Sequence, residues 1–241
     1  MTAYLFEFIG TAMLILLGNG IVANVNLKNT YGNTAGWVGI TIGWAMAVFV
    51  GVFVAADTSG AHLNPAVTIA LATAGKFGWG LAPGYIIAQI LGAMTGTTLV
   101  WLSYKKQYET SEDPSAILST FATTPAIKNA FWNFLSELIA TFAFILAIFY
   151  IAGGTVGEDN IKLGSLDALP VALLVLAIGM SLGGTTGYAI NPARDLGPRI
   201  MHAILPIANK GESAWWYAWI PVAGPICGGL LAAAVYMAVG I

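Results

Sequence analysis

The sequence predicts an all-α membrane protein: six transmembrane helices plus two re-entrant half-helices, arranged as an inverted repeat. Three observations carry this. The chain is 58% hydrophobic and only 8% charged, whereas soluble domains carry roughly 25% charged residues. Six apolar stretches each approach the ~20 residues that a helix needs to cross a bilayer. The tripeptide Asn-Pro-Ala occurs twice, at Asn64-Pro65-Ala66 and at Asn191-Pro192-Ala193, each time just after a membrane-length apolar run. One such tripeptide is weak evidence; two in equivalent places indicate a duplicated unit.

In chain order, the spanning stretches are roughly 4–24, 37–56, 84–103, 131–152, 168–186 and 215–239. Two shorter helical stretches begin at the Asn-Pro-Ala motifs, over about 65–74 and 192–204. At ~1.5 Å per residue, such a stretch reaches about 15 Å, half of a hydrocarbon core. Two of them entering from opposite faces would together cross it. Three spans per repeat is an odd number, so the two copies must lie in opposite orientation, the broken-helix layout of several transport proteins. This gives one channel-like domain over 1–241, with repeats of about 1–104 and 131–241 linked by the loop 105–130. Glu7-Phe8-Ile9-Gly10-Thr11 recurs as Glu137-Leu138-Ile139-Ala140-Thr141, and Ser59-Gly60 as Thr186-Gly187.

Each motif reads as a helix start. Proline at the first helical position needs no N–H, and the asparagine before it can cap. The helix end then presents unpaired N–H donors and partial positive charge. Arg194 adds a full charge at the second of these ends, with Asp195 after it. Glu7 and Glu137 lie at or near span starts, where a carboxylate in lipid needs partners. The reading favoured here is that each accepts backbone N–H bonds from the re-entrant loop of its own half, since non-helical backbone at membrane depth must be satisfied by protein; a proton relay is the alternative.

The remaining features set limits. Gly10, Gly18 and Gly20 make the first span glycine-rich, as close helix packing in lipid requires. The loop 104–130, with Lys105, Lys106, Glu109, Glu112, Asp113 and Lys128, reads as a solvated surface segment, with partial cover of a vestibule as a further role. Trp215, Trp216 and Trp219 read as interfacial belt residues. The net charge of −2 gives no basic field, so nucleic acid is not a partner. The single cysteine, Cys227, excludes an internal disulfide and a cysteine-rich metal site and reads as a small buried apolar residue. No metal or cofactor is indicated. Glu7 stands where a signal peptide would be apolar, so the first run reads as a retained span. Orientation is contradictory. The face holding both termini carries Lys76 and Lys162, and the other carries Lys28, Lys105, Lys106, Lys128 and Lys210 with Arg194 and Arg199. The positive-inside rule then argues for termini outside.

The chain resembles the aquaporin superfamily, and within it the glycerol facilitators, along its whole length. The phrases that carry the resemblance are SGAHLNPAVTIAL at 59–71, TGYAINPARDLGPR at 186–199, and the paired Glu7 and Glu137. The resemblance implies that Asn64 and Asn191 meet at mid-membrane and donate into a pore. It implies that the carbonyls of Gly60, Ala61, His62, Gly187, Tyr188 and Ala189 line that pore as acceptors. Counting from the two asparagines, the family's aromatic and arginine filter falls on Trp44, Gly179, Tyr188 and Arg194. Glycine at the Gly179 position and aspartate at Asp195 fit the glycerol branch, whereas water-dedicated members have histidine at the former. Tyr188 departs from the commoner phenylalanine. The resemblance also implies a homotetramer in the cell membrane, with both termini cytoplasmic, against the lysine count.

The function so implied is a passive channel for glycerol and other small neutral solutes, with water and the lipid bilayer as its other partners, and no enzyme. The alternatives are a water-selective channel, or a facilitator mainly for dihydroxyacetone, urea, hydrogen peroxide or protonated short organic acids. A coupled transporter would share the inverted repeat but usually shows acidic groups at its substrate site. An intramembrane hydrolase would need Ser59 and His62 as a dyad, with Asp57 behind it. His62 reads instead as a neutral residue bonded to a neighbouring loop.

Overall fold

The computed structural model describes residues 1–151, 154–156, 159–161 and 163–240, with side chains described outside 152–162. Among the described residues, six helices are long and apolar enough to cross a membrane. They are α1 (Thr2–Asn26), α2 (Gly36–Ser59), α4 (Ala82–Ser103), α7 (Ala130–Tyr150), α8 (Leu169–Leu182, preceded by a 3₁₀ turn over Gly164–Ala168) and α10 (Ile220–Val239). Two shorter helices follow the Asn-Pro-Ala motifs, α3 (Pro65–Thr73) and α9 (Pro192–Ile204). Helices α5 (Lys105–Thr110) and α6 (Pro114–Ser119) lie in the central loop. A short antiparallel pair, β1 (Gly154–Val156) and β2 (Asp159–Ile161), follows α7. Lys162, counted above for orientation, lies outside the described residues.

Spans five and six differ from the sequence boundaries. The fifth starts earlier, at the 3₁₀ turn, and ends at Leu182, because Gly183 to Thr186 already turn away. The sixth starts only at Ile220, because Trp215 to Trp219 form turns ahead of Pro221 in the first helical turn.

The packing follows the repeat. In the first half α1 packs on α2 and α4; in the second, α7 packs on α10 and α8. The half-helices are exchanged: α3 lies mainly against α10 and α9 mainly against α4. Glycines let these helices approach to backbone contact, as membrane interfaces without a hydrophobic driving force require. A Cβ on Gly92 of α4 would lie 2.4 Å from the Phe8 carbonyl oxygen of α1, and one on Gly228 of α10 would lie 2.4 Å from the Leu138 oxygen of α7. In the first span Gly10 and Gly18 are contact positions, but Gly20 faces open space. The expectation that all three glycines serve packing holds for two.

The loop 104–130 is the larger departure. Its charges are exposed: Lys28 meets Glu112 at 2.9 Å and Lys106 meets Glu109 at 2.8 Å. Lys28 holds the Glu112 carboxyl below its usual range, but a surface pair of this kind contributes little to stability. The same loop also carries Tyr108, Ile117, Leu118, Phe121 and Ala122, all buried in a second core with Leu27, Val100, Leu205 and Ile207. The segment is therefore a packed cap and not a solvated strip. Most of its charges lie ahead of α6, with Lys128 after it, and its buried apolar residues other than Tyr108 lie in α6 or just after it. Cys227, expected to be buried, is exposed on α10. Trp215, Trp216 and Trp219 are about half exposed.

Candidate functional site

The two half-helices begin as their residues dictate. The Asn64 side-chain oxygen accepts from the Ala66 N–H at 2.9 Å, and that of Asn191 accepts from Ala193 at 3.0 Å and Arg194 at 3.2 Å. Pro65 and Pro192 occupy the first helical positions. Each side-chain amide also reaches across to the other half. Asn64 Nδ2 donates to the Ile190 carbonyl at 2.8 Å, and Asn191 Nδ2 donates to the Leu63 carbonyl at 2.8 Å. These reciprocal bonds join the two helix starts. They use one N–H of each amide and leave the second for another acceptor. Ala66 and Ala193 are fully buried at this junction.

The loops before the motifs are strained. Ala61, Leu63, Tyr188 and Ile190 all have positive φ, from 36° to 50°, a conformation that costs a non-glycine residue of order 1–3 kcal/mol unless its surroundings enforce it. The two buried glutamates enforce it. Glu7 accepts from the His62 N–H at 2.9 Å, the Leu63 N–H at 2.8 Å, Ser59 Oγ at 2.7 Å and Gln89 Nε2 at 2.7 Å. Glu137 accepts from the Ala189 and Ile190 N–H groups, both at 2.9 Å. With the N–H groups turned toward the glutamates, the carbonyls of Gly60, Ala61, His62, Gly187, Tyr188 and Ala189 take no hydrogen bond among the described residues. The dyad imagined for a hydrolase does not form: Ser59 is bonded to Glu7, and His62 Nδ1 lies 3.1 Å from Thr68 Oγ1.

Two cavities meet at this centre. The first, of about 170 Å³, is lined by Gly60, Ala61, His62, Asn64, Ala189 and Asn191 together with apolar residues such as Leu14, Val48 and Phe144. The second, of about 280 Å³, is lined by Gly187, Trp37, Asn26, Ser119 and Thr123 among others. Trp44, Tyr188 and Arg194 line both. The Arg194 guanidinium lies 4.3 Å above the Trp44 ring and 3.4 Å from the Phe121 carbonyl, and among the described residues it is the only charged side chain lining either cavity. The Trp44 ring is laid on α1 at Gly18, where a Cβ would come within 2.2 Å of it.

Gly179, counted into the filter in the sequence, stands apart from Trp44, Tyr188 and Arg194 in the structure. It lines neither cavity. A Cβ there would lie 2.8 Å from Tyr188 Cζ, so the space that glycine leaves is filled by the Tyr188 ring.

Of the residues that hold the site from behind, Asp195 was singled out in the sequence, whereas Thr123, Arg199 and Gln89 were given no role there. Asp195 is buried and accepts from the Thr123 N–H at 2.8 Å and Thr123 Oγ1 at 2.7 Å. Arg199, one turn further along α9 and fully buried, donates to both Asp195 oxygens and to the carbonyls of Thr123, Ser213 and Ala214. This clamp ties the cap to α9 and holds Phe121 against Arg194. It also removes Arg194 and Arg199 from any count of loop charges. The Asp195–Arg199 spacing of four was a signal, since such residues face each other on a helix. Gln89 had none.

The model of the major intrinsic protein family matches residues 1–236. A glycerol uptake facilitator protein of Streptococcus pneumoniae is 53% identical over 230 residues, covering 95% of this chain and 96% of its own. Glycerol uptake facilitator protein 3 of Lactiplantibacillus plantarum is 51% identical over 230 residues, covering 95% and 93%. Among solved structures, the X-ray structure of the aquaglyceroporin from Plasmodium falciparum superposes with a TM-score of 0.83 at 34% identity, covering 98% of this chain and 94% of that one.

Proposed function

This chain belongs to the major intrinsic protein family, and from that premise we propose that it is a passive channel, not an enzyme, for glycerol and other small neutral solutes, with water. The observation that carries the reading is the joint of the two cavities at Trp44, Tyr188 and Arg194. A solute passing from one cavity to the other meets apolar ring surface and a fixed donor at the same point. Its CH groups slide over Trp44 and Tyr188, where each buried CH₂ is worth about 0.8 kcal/mol. Its hydroxyls bond in turn to Arg194, to the free N–H groups of Asn64 and Asn191, and to the unpaired carbonyls of the two loops. Those contacts replace lost water. Ions are rejected because nothing rebuilds their hydration shell, and cations also meet Arg194 and two helix N-termini.

Gly179 serves this filter from behind, as the seat of Tyr188. Glu7, Glu137 and Asp195 are its supports. In this reading the protein sits in the cell membrane with both termini cytoplasmic and assembles as a homotetramer. A ring of this kind repeats one heterologous interface.

The test is osmotic. Proteoliposomes carrying the protein should swell in a glycerol gradient without any ion gradient, and a coupled transporter would not permit this. A parallel water step identifies a water-selective channel: water flux with glycerol flux at the level of empty vesicles would refute the proposal.

A further inference from the structure

The Tyr188 ring has no hydrogen bond to hold it: its hydroxyl is buried and without a partner among the described residues. Its position is therefore set by packing and by the strained backbone beneath it, at φ 36°. That packing is a slot. A Cβ on Gly179 would lie 2.8 Å from Tyr188 Cζ, and a Cβ on Gly183, one turn on, would lie 2.5 Å from Tyr188 Cδ1. Small residues one turn apart on a membrane helix usually admit another helix; here they admit an aromatic ring.

Trp37 closes the slot. Its indole Nε1–H donates to the Gly179 carbonyl at 3.1 Å, joining α2 to α8. Its ring stands edge-on to Tyr188, centroids 5.7 Å apart at 78°. The Cβ position of Gly183 is also only 2.7 Å from Trp37 Cζ2, so both rings press on the same glycine. Trp37 lines only the second cavity, whereas Tyr188 lines both.

We infer that Trp37 is a positioning residue: by holding Tyr188 in the Gly179–Gly183 slot it sets the largest solute that the constriction passes. This rests on the channel reading above. Without the indole, the Tyr188 ring is free to tilt toward the second cavity and leave the constriction wider. With a methyl at 183, the ring is pushed out of the slot toward the pore and the constriction narrows.

The experiment compares glycerol, erythritol and xylitol permeation in proteoliposomes by stopped-flow light scattering. Trp37→Leu is expected to raise the erythritol-to-glycerol permeability ratio about threefold or more, a barrier change of about 0.65 kcal/mol. Trp37→Phe, which keeps a ring but loses the N–H, should raise it less. Gly183→Ala should lower it. A purely structural role would reduce all solutes in proportion, and a ratio unchanged from the parent in the tryptophan variants overturns the inference. Should Trp37→Leu fail to assemble, Trp37→Phe decides alone by the same criterion. A parent protein that passes no glycerol refutes the channel reading instead, and is seen before any variant is made.

Discussion

Replacing Glu137 by glutamine tests whether the second re-entrant loop is held as the structure describes. The two carboxylate oxygens each accept one backbone N–H, from Ala189 and Ile190, at 2.9 Å. Both donors are fixed in the chain and cannot reverse. A glutamine offers one oxygen and an NH₂, so one of the two N–H groups is left facing another donor. The change removes a charge-assisted bond, about 1.5–3 kcal/mol, and strands a buried N–H at about 1–3 kcal/mol. The sum is about 2.5–6 kcal/mol, set against a loop whose Tyr188 and Ile190 are strained at φ 36° and 43°. Strain of about 1–3 kcal/mol per residue is then no longer over-determined, and the loop relaxes. At ~2–4 °C per kcal/mol for a chain of this size, the unfolding midpoint of Glu137→Gln in detergent should fall by roughly 5–24 °C. Because the loop carries Tyr188 and ends at Asn191, glycerol and water permeation should fall together in the protein that remains folded. A midpoint and both fluxes equal to the parent would refute the idea that Glu137 holds the loop.

Arg194→Val removes the only charge that the described residues place on the two cavities; arginine is always protonated, so proton or cation conductance in planar bilayers should rise while solute flux persists, and conductance at background would count against Arg194 as the barrier. Gly179→His must displace the Tyr188 ring, whose Cζ is 2.8 Å from the Cβ position; glycerol flux should drop by about tenfold or more, equivalent to ~1.4 kcal/mol, and water flux by less, whereas undiminished glycerol flux would show that Tyr188 is not at the constriction. Arg199→Lys puts one ammonium where a guanidinium serves Asp195 and three carbonyls; leaving partners of a buried ion pair unmatched costs about 3–5 kcal/mol, so the yield of folded protein should fall sharply, and a parent-like melting curve would contradict the clamp.

Much of this protein was legible in the sequence because the membrane imposes local rules. A span must be long and apolar, and a backbone at membrane depth must find its bonds nearby; hence the six spans could be read from the length of the apolar runs, and the two half-helices and the glutamates serving the loop N–H groups from Glu7, Asn64, Glu137 and Asn191. Helix starts at Pro65 and Pro192 are equally local. Direction was not legible. A helix bordered by lipid on one side and core on the other is apolar all round, so periodicity does not say that Gly18 meets Trp44 while Gly20 meets nothing. The central loop misled for a related reason: its charges mark only the exposed part, and the buried stripe from Ile117 to Ala122 needs Leu27 and Val100 to define its face. The contact of Gly179 with Tyr188, in the loop that follows its helix, is completed by Trp37, 142 residues before it in the chain. Their packing alone decides that the space beside a glycine is filled by a ring and not left to the pore.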